Sequence, residues 1–147
     1  MGQMSRFKVV FLLKPDESGY PPVDAEGLWV ESLDERTARV DNIPFFVQDA
    51  TLGDVIEYAK EDGELRYVST LLRSKNSLLR VVCYSHAEPA QIRNEIERFG
   101  CETEFDSAHG LIAVNVPPEG DLEGLQKFLH LRESRGEIGY EEPILAK

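Results

Sequence analysis

Apolar residues recur every second position through the first half of the chain, and the period lengthens to that of helices in the second half. Phe7 to Leu13 is dense in β-branched and aromatic residues and stops at Lys14-Pro15, ahead of a polar, proline-rich loop through Pro21-Pro22. Leu28 to Leu33 and Thr37 to Val40 flank Asp34-Glu35, and Val55 to Ala59 and Leu65 to Leu72 flank Asp62-Gly63, which predicts two hairpins. Thr51-Leu52-Gly53-Asp54 has the spacing of a helix capping box, but Gly53 in the first turn and the Asp-Gly turn soon after favour a strand instead. Five short strands with one apolar face predict a small curled antiparallel sheet or open barrel, which limits exposed edges.

From Leu78 the order changes. Leu78 to Tyr84 reads as a strand, and Glu88 to Phe99 as a helix with Pro89 in its first turn, Ile92, Ile96 and Phe99 on one face, and Gly100 closing it. Cys101 to Asp106 alternates acidic with other residues, and Leu111 to Val116 is nearly all apolar. Asp121 is a good N-cap for a second helix with Leu122, Leu125, Phe128 and Leu129 on its buried stripe. Ile138 to Ile144 is the last strand. The order β-α-β-β-α-β is that of a ferredoxin-like two-layer sandwich. The expected class is α+β, with an acidic all-β subdomain over 1–75 and a ferredoxin-like subdomain over 76–147.

The composition is that of a soluble globular protein, with 41% hydrophobic and 29% charged residues among 147. The apolar run Val9 to Leu13 is too short for a signal-peptide core or a membrane span, so neither export nor a membrane is expected. Cys83 and Cys101 lack the companions of a zinc site or a CxxC motif. Both are expected to stay reduced, in a cytoplasmic protein.

Charge is the most suggestive feature. Between Asp16 and Glu64 stand 14 acidic residues against Arg36, Arg39 and Lys60, which accounts for the entire net charge of −11, while the remainder is neutral. A one-signed surface steers oppositely charged partners and repels nucleic-acid phosphates. The basic concentration at Arg66, Arg73, Lys75 and Arg80 reads as a solvated hairpin. The strands equivalent to an RNA-recognition face carry one aromatic, Tyr84, and no nucleic-acid partner is expected.

The search for chemistry finds no site. His86, His109 and His130 lie far from one another in sequence and read as surface residues. Ser85-His86 fails as a nucleophile and base, because adjacent residues in extended backbone point to opposite sides and no nucleophile elbow surrounds them. No EF-hand, phosphate-binding loop or dinucleotide fingerprint occurs. No catalytic residue, metal or cofactor is assigned, and the protein is read as not an enzyme.

The stretches Gly27-Leu-Trp-Val-Glu-Ser-Leu, Arg39-Val-Asp-Asn-Ile-Pro-Phe-Phe and Leu52-Gly-Asp-Val-Ile-Glu, preceded by Tyr20-Pro-Pro-Val, resemble the bacterial domain-of-unknown-function 4265 family. The resemblance places Trp29 and Glu31 on the motif's strand, Asn42, Pro44, Phe45 and Phe46 in its turn, and Gly53-Asp54 ahead of the next strand. It implies no reaction. Trp29 and Phe45 are read as core, Asn42 as a turn residue with left-handed backbone, and Gly53 as a tight turn. Gly27 stands where a bulkier strand residue is expected.

The leading expectation is a non-catalytic binding protein, an immunity protein that neutralises a basic toxin domain through its acidic surface. The turn acids Asp34, Glu35, Glu61 and Asp62 are the partner-binding candidates, since loops carry recognition. A small-molecule-sensing or regulatory ferredoxin-like module, which a homodimer would fit, is the alternative. An enzyme with a polar pocket at Glu31, Asn42 and Asp54 ranks last.

Overall fold

The computed structural model describes residues 5–84 and 87–146. The chain divides into two units, Met1–Ser74 and Lys75–Lys147; among the described residues the first holds a five-stranded sheet and the second a four-stranded sheet and two helices.

The first unit holds β1 (Arg6–Leu12), β2 (Ala25–Ser32), β3 (Thr37–Val40), β4 (Val55–Glu61) and β5 (Glu64–Leu72). Each strand pairs antiparallel with the next. Four such steps return the fifth strand to the direction of the first, so β5 meets β1 in parallel at Val10↔Arg66 and the strand order closes on itself. The period of two decides which side chains enter the core. Val9 and Phe11 of β1, Leu28 and Val30 of β2, Ala38 and Val40 of β3 and Ile56 of β4 fill the inside. Phe7 meets Tyr58 edge-on at 5.3 Å, and Phe11 stacks on Tyr67 at 4.4 Å. Asp62 and Gly63 both have positive φ, as the tight β4–β5 turn requires.

Two expectations change here. Trp29 lies between the buried Leu28 and Val30 and so faces outward, 37% exposed, because the apolar phase of β2 runs through those two neighbours. Phe45 is half-buried, and Phe46 beside it is the buried ring.

The second unit holds β6 (Ser77–Cys83), α1 (Pro89–Glu97), β7 (Glu102–Asp106), β8 (Leu111–Val116), α2 (Leu122–Ser134) and β9 (Ile138–Ile144). The strand order is β7-β8-β6-β9, antiparallel throughout. Ile92 and Ile96 of α1 and Leu125 and Leu129 of α2 share a core with Leu79, Val81, Ile112 and Val114. The Asp121 side chain accepts the Gly124 N–H at 2.9 Å, which makes it the N-cap of α2. The edge strand β7 turns Glu102 and Glu104 to solvent, a charged edge that resists pairing with another chain.

Candidate functional site

Strand direction in the first unit sorts its connections to two ends. The β2–β3 turn with Asp34 and Glu35 and the β4–β5 turn with Glu61 and Asp62 lie at the same end, since Thr37 of β3 pairs with Glu57 of β4 and both turns run on from there. Contacts agree with this placement. The Arg36 carbonyl accepts the Tyr58 N–H at 2.9 Å, and burial, followed by the charges of Asp34 and Glu35, pushes the Tyr58 phenol up. The tertiary structure therefore gathers all four candidate acids at one end.

Their charges are not equally available. The Asp34 carboxylate accepts the N–H groups of Arg36 and Thr37, both at 2.8 Å, and these bonds hold it below the usual carboxylate range. Glu61 and Asp62 share Arg66, at 3.6 and 3.5 Å, and its Nε donates to Glu64 at 2.8 Å. Glu35 is exposed. The two turns carry Asp34, Glu35, Glu61, Asp62 and Glu64 against Arg36 and Arg66, and β1 begins at the same end with Arg6 opposite Glu31, so the turns themselves stay negative.

The concentration of charge between Asp16 and Glu64 does not survive folding. The first unit includes Arg6, Lys8, Lys14, Arg66 and Arg73, so it carries 14 acidic against 8 basic residues, a net −6; the second carries 13 against 8, a net −5. Several of these cations sit directly on the acids, as Arg6 does on Asp41 at 2.8 Å. Of the residues read as a basic hairpin, Arg66 is held by Glu64, Arg73 lies 3.5 Å from Asp54, and Arg80 is buried with Glu141 at 3.5 Å.

At the opposite end side chains hold the loops together, and Asn42 and Asp54 among them belong to the stretches that carry the family resemblance. The Glu26 carboxylate accepts three successive backbone N–H groups, of Phe45, Phe46 and Val47, at 2.7, 2.8 and 2.9 Å. Asn42 is not left-handed; its side-chain oxygen accepts the Trp29 N–H at 2.7 Å. Asp54, with no exposed surface, accepts from the Thr51 N–H at 3.0 Å and the Ser74 N–H at 2.7 Å. The Thr51 to Asp54 bond is the backward half of a capping box with no helix following, because Gly53 takes φ +89° and turns the chain into β4. Glu26 escaped sequence reasoning altogether, as nothing local marks a glutamate whose partners lie 19 to 21 residues away.

Trp29 is overlaid by cations from β1, with the Arg6 guanidinium 4.5 Å and the Lys8 ammonium 5.2 Å from its ring centre. At the unexpected Gly27 a Cβ would meet Lys8 Cδ at 3.4 Å, an ordinary van der Waals contact, so the space there does not require glycine. A polar pocket of Glu31, Asn42 and Asp54 does not form, since Asp54 is buried and, like Asn42, engaged by backbone N–H groups, while Glu31 lies on β2 across β3 from Val55.

In the second unit His109 Nδ1 lies 2.7 Å from Asp106 across the exposed β7–β8 turn, and His130 is exposed on α2. Ser85 and His86 lie outside the described residues. Burial, with a smaller push from Asp121, raises the Cys101 thiol to about 11, so it stays protonated. Among the described residues no three His, Cys, Asp or Glu side chains gather as a metal site, and no helix is long and apolar enough to cross a membrane.

The family described as a domain of unknown function (DUF4265) matches residues 26–140, and the chain belongs to that family. A solved structure described as a hypothetical protein from Neisseria gonorrhoeae is similar over 100% of this chain and 99% of that one, with a TM-score of 0.78 at 20% identity. At that identity the likeness shows a shared fold. No curated protein matches.

Proposed function

We propose that this member of the DUF4265 family is a non-catalytic binding protein, an immunity protein that neutralises a basic toxin domain in the cytoplasm. The observation that carries the reading is the meeting of both hairpin turns at one negative end of the first unit, where Glu35 is exposed and Glu61 and Asp62 stand at the rim around Arg66. Negative charge at a protruding end raises the encounter rate with a basic surface. In this reading the first unit is a small barrel that presents its turns, and the second is a ferredoxin-like sandwich, which its chain order and the sheet order β7-β8-β6-β9 support. The engagement of Asp54, Asn42 and Glu26 with backbone N–H groups also supports binding over catalysis, because it leaves those side chains no free role.

The test is capture from the native host, followed by association kinetics of the captured protein. We expect a basic toxin-domain partner whose association slows several-fold between about 50 mM and about 500 mM salt. Association should also slow several-fold with the combined Asp34→Asn, Glu35→Gln, Glu61→Gln and Asp62→Asn variant. A partner that associates equally fast with the variant, or at both ionic strengths, overturns the reading.

A further inference from the structure

We propose that the groove between the β1–β2 loop and the β3–β4 loop, at the end of the first unit away from the hairpin turns, binds a basic, extended peptide segment of another protein. The groove measures about 490 Å³ and its floor is apolar: Leu12, Tyr20, Pro21 and Phe46 line it. Leu12 is 61% and Tyr20 38% exposed, apolar surface that the fold itself leaves uncovered. A second hollow of about 670 Å³ on the other side of the loop shares Pro21 with the first. Both are open to solvent, which suits an elongated ligand crossing the loop better than a small molecule, whose sites enclose most of its surface.

The rim says which peptide. Asp16 and Asp49 stand on it against one cation, Lys14. The Asp16 Oδ1 accepts from Ser18 N–H, Ser18 Oγ and Tyr20 N–H, which fixes the carboxylate at the exposed edge of the loop. These bonds, led by that from the Ser18 side chain, hold Asp16 below the usual carboxylate range and keep it charged. The Asp49 carboxylate belongs to an exposed residue whose backbone carbonyl is anchored by Thr70 Oγ1 at 2.8 Å. A second copy of this chain is a poor occupant, because it would bring −11 against −11. A cationic segment with apolar anchors satisfies both floor and rim.

This site stands apart from the hairpin-end reading, since β1 separates the two by roughly 20 Å at about 3.3 Å per residue. The probe is acetyl-Arg-Leu-Arg-Pro-Leu-Arg-amide titrated into the full chain, with the Glu-for-Arg peptide as control, and backbone amide shifts as the readout. Saturable shifts are expected at Leu13, Tyr20, Phe46 and Asp49, with affinity weakened at least about fivefold, roughly 1 kcal/mol, by the paired Leu12→Ser and Asp49→Asn changes at exposed positions. Equal binding of the acidic control overturns the proposal. So do concentration-dependent shifts at Leu12 in the free protein, which would mean that a second copy fills the groove. Shifts confined to Glu35, Glu61 and Asp62 would overturn it while favouring the hairpin end.

Discussion

The two units carry nearly the same charge and use their carboxylates differently. In the first, beside local bonds at Asp16 and Asp34, two acids reach across the sequence to backbone: Glu26 gathers the 45–47 amides, and Asp54 joins Thr51 to the distant Ser74. In the second, backbone bonds to carboxylates are local, as at Asp106 to Ala108 and Asp121 to Gly124, and the distant pairs join side chains. Arg132 there holds Glu95 at 2.7 Å and Glu137 at 2.9 Å. The reason lies in the connections. Helices satisfy their own amides, whereas the 13–24 and 41–54 loops have no ladder of their own, and a buried N–H must find an acceptor. Acidity in the first unit is therefore in good part architectural, and it is a weaker sign of a partner than the sequence suggests.

That contrast breaks most visibly at Asp54. Asp54→Ala orphans two backbone N–H groups in a site with no exposed surface, and we expect a loss of about 3 kcal/mol by urea unfolding, with Asp54→Asn losing less because one acceptor oxygen remains. A loss under about 1 kcal/mol would mean that water replaces the carboxylate.

Glu26 comes next. Its carboxylate is half-buried, so Glu26→Ala is expected to cost about 2 kcal/mol and to speed hydrogen exchange at Phe45, Phe46 and Val47 selectively. Uniform exchange across the unit would deny the carboxylate its local role.

Arg132 sharpens the other side of the comparison. Arg132→Met removes two ion pairs that are about a fifth to a quarter exposed, together with the guanidinium 5.3 Å over the Phe128 ring, and a loss of about 1 kcal/mol that shrinks in high salt is expected. A loss as large as that at Asp54 would erase the distinction between the units.

Trp29 gives the smallest effect. Under a stack of two exposed cations, Trp29→Ala should cost about 1 kcal/mol or less by urea unfolding, against roughly 3–5 kcal/mol for a core tryptophan. A core-sized loss would mean that the β2 ring packs inward in solution.

Periodicity and turn chemistry determined the elements. The nine strands and two helices of the described residues were legible from alternation, β-branched runs, the Asp62-Gly63 turn, Pro89 and the Asp121 cap, because each of these signals is local. The phase of β2 was misread because Leu28, Trp29 and Val30 are all apolar, and only closure of the sheet decides which two enter. The gathering of the four turn acids, the pairing of Glu61 and Asp62 with Arg66, the Glu26 clasp and the groove beneath Tyr20 were left to the tertiary structure. Each depends on residues brought together from separate strands and loops. Charge counted along the chain cannot register the cations that folding sets beside it, since Coulomb energy follows distance in space and not separation in sequence.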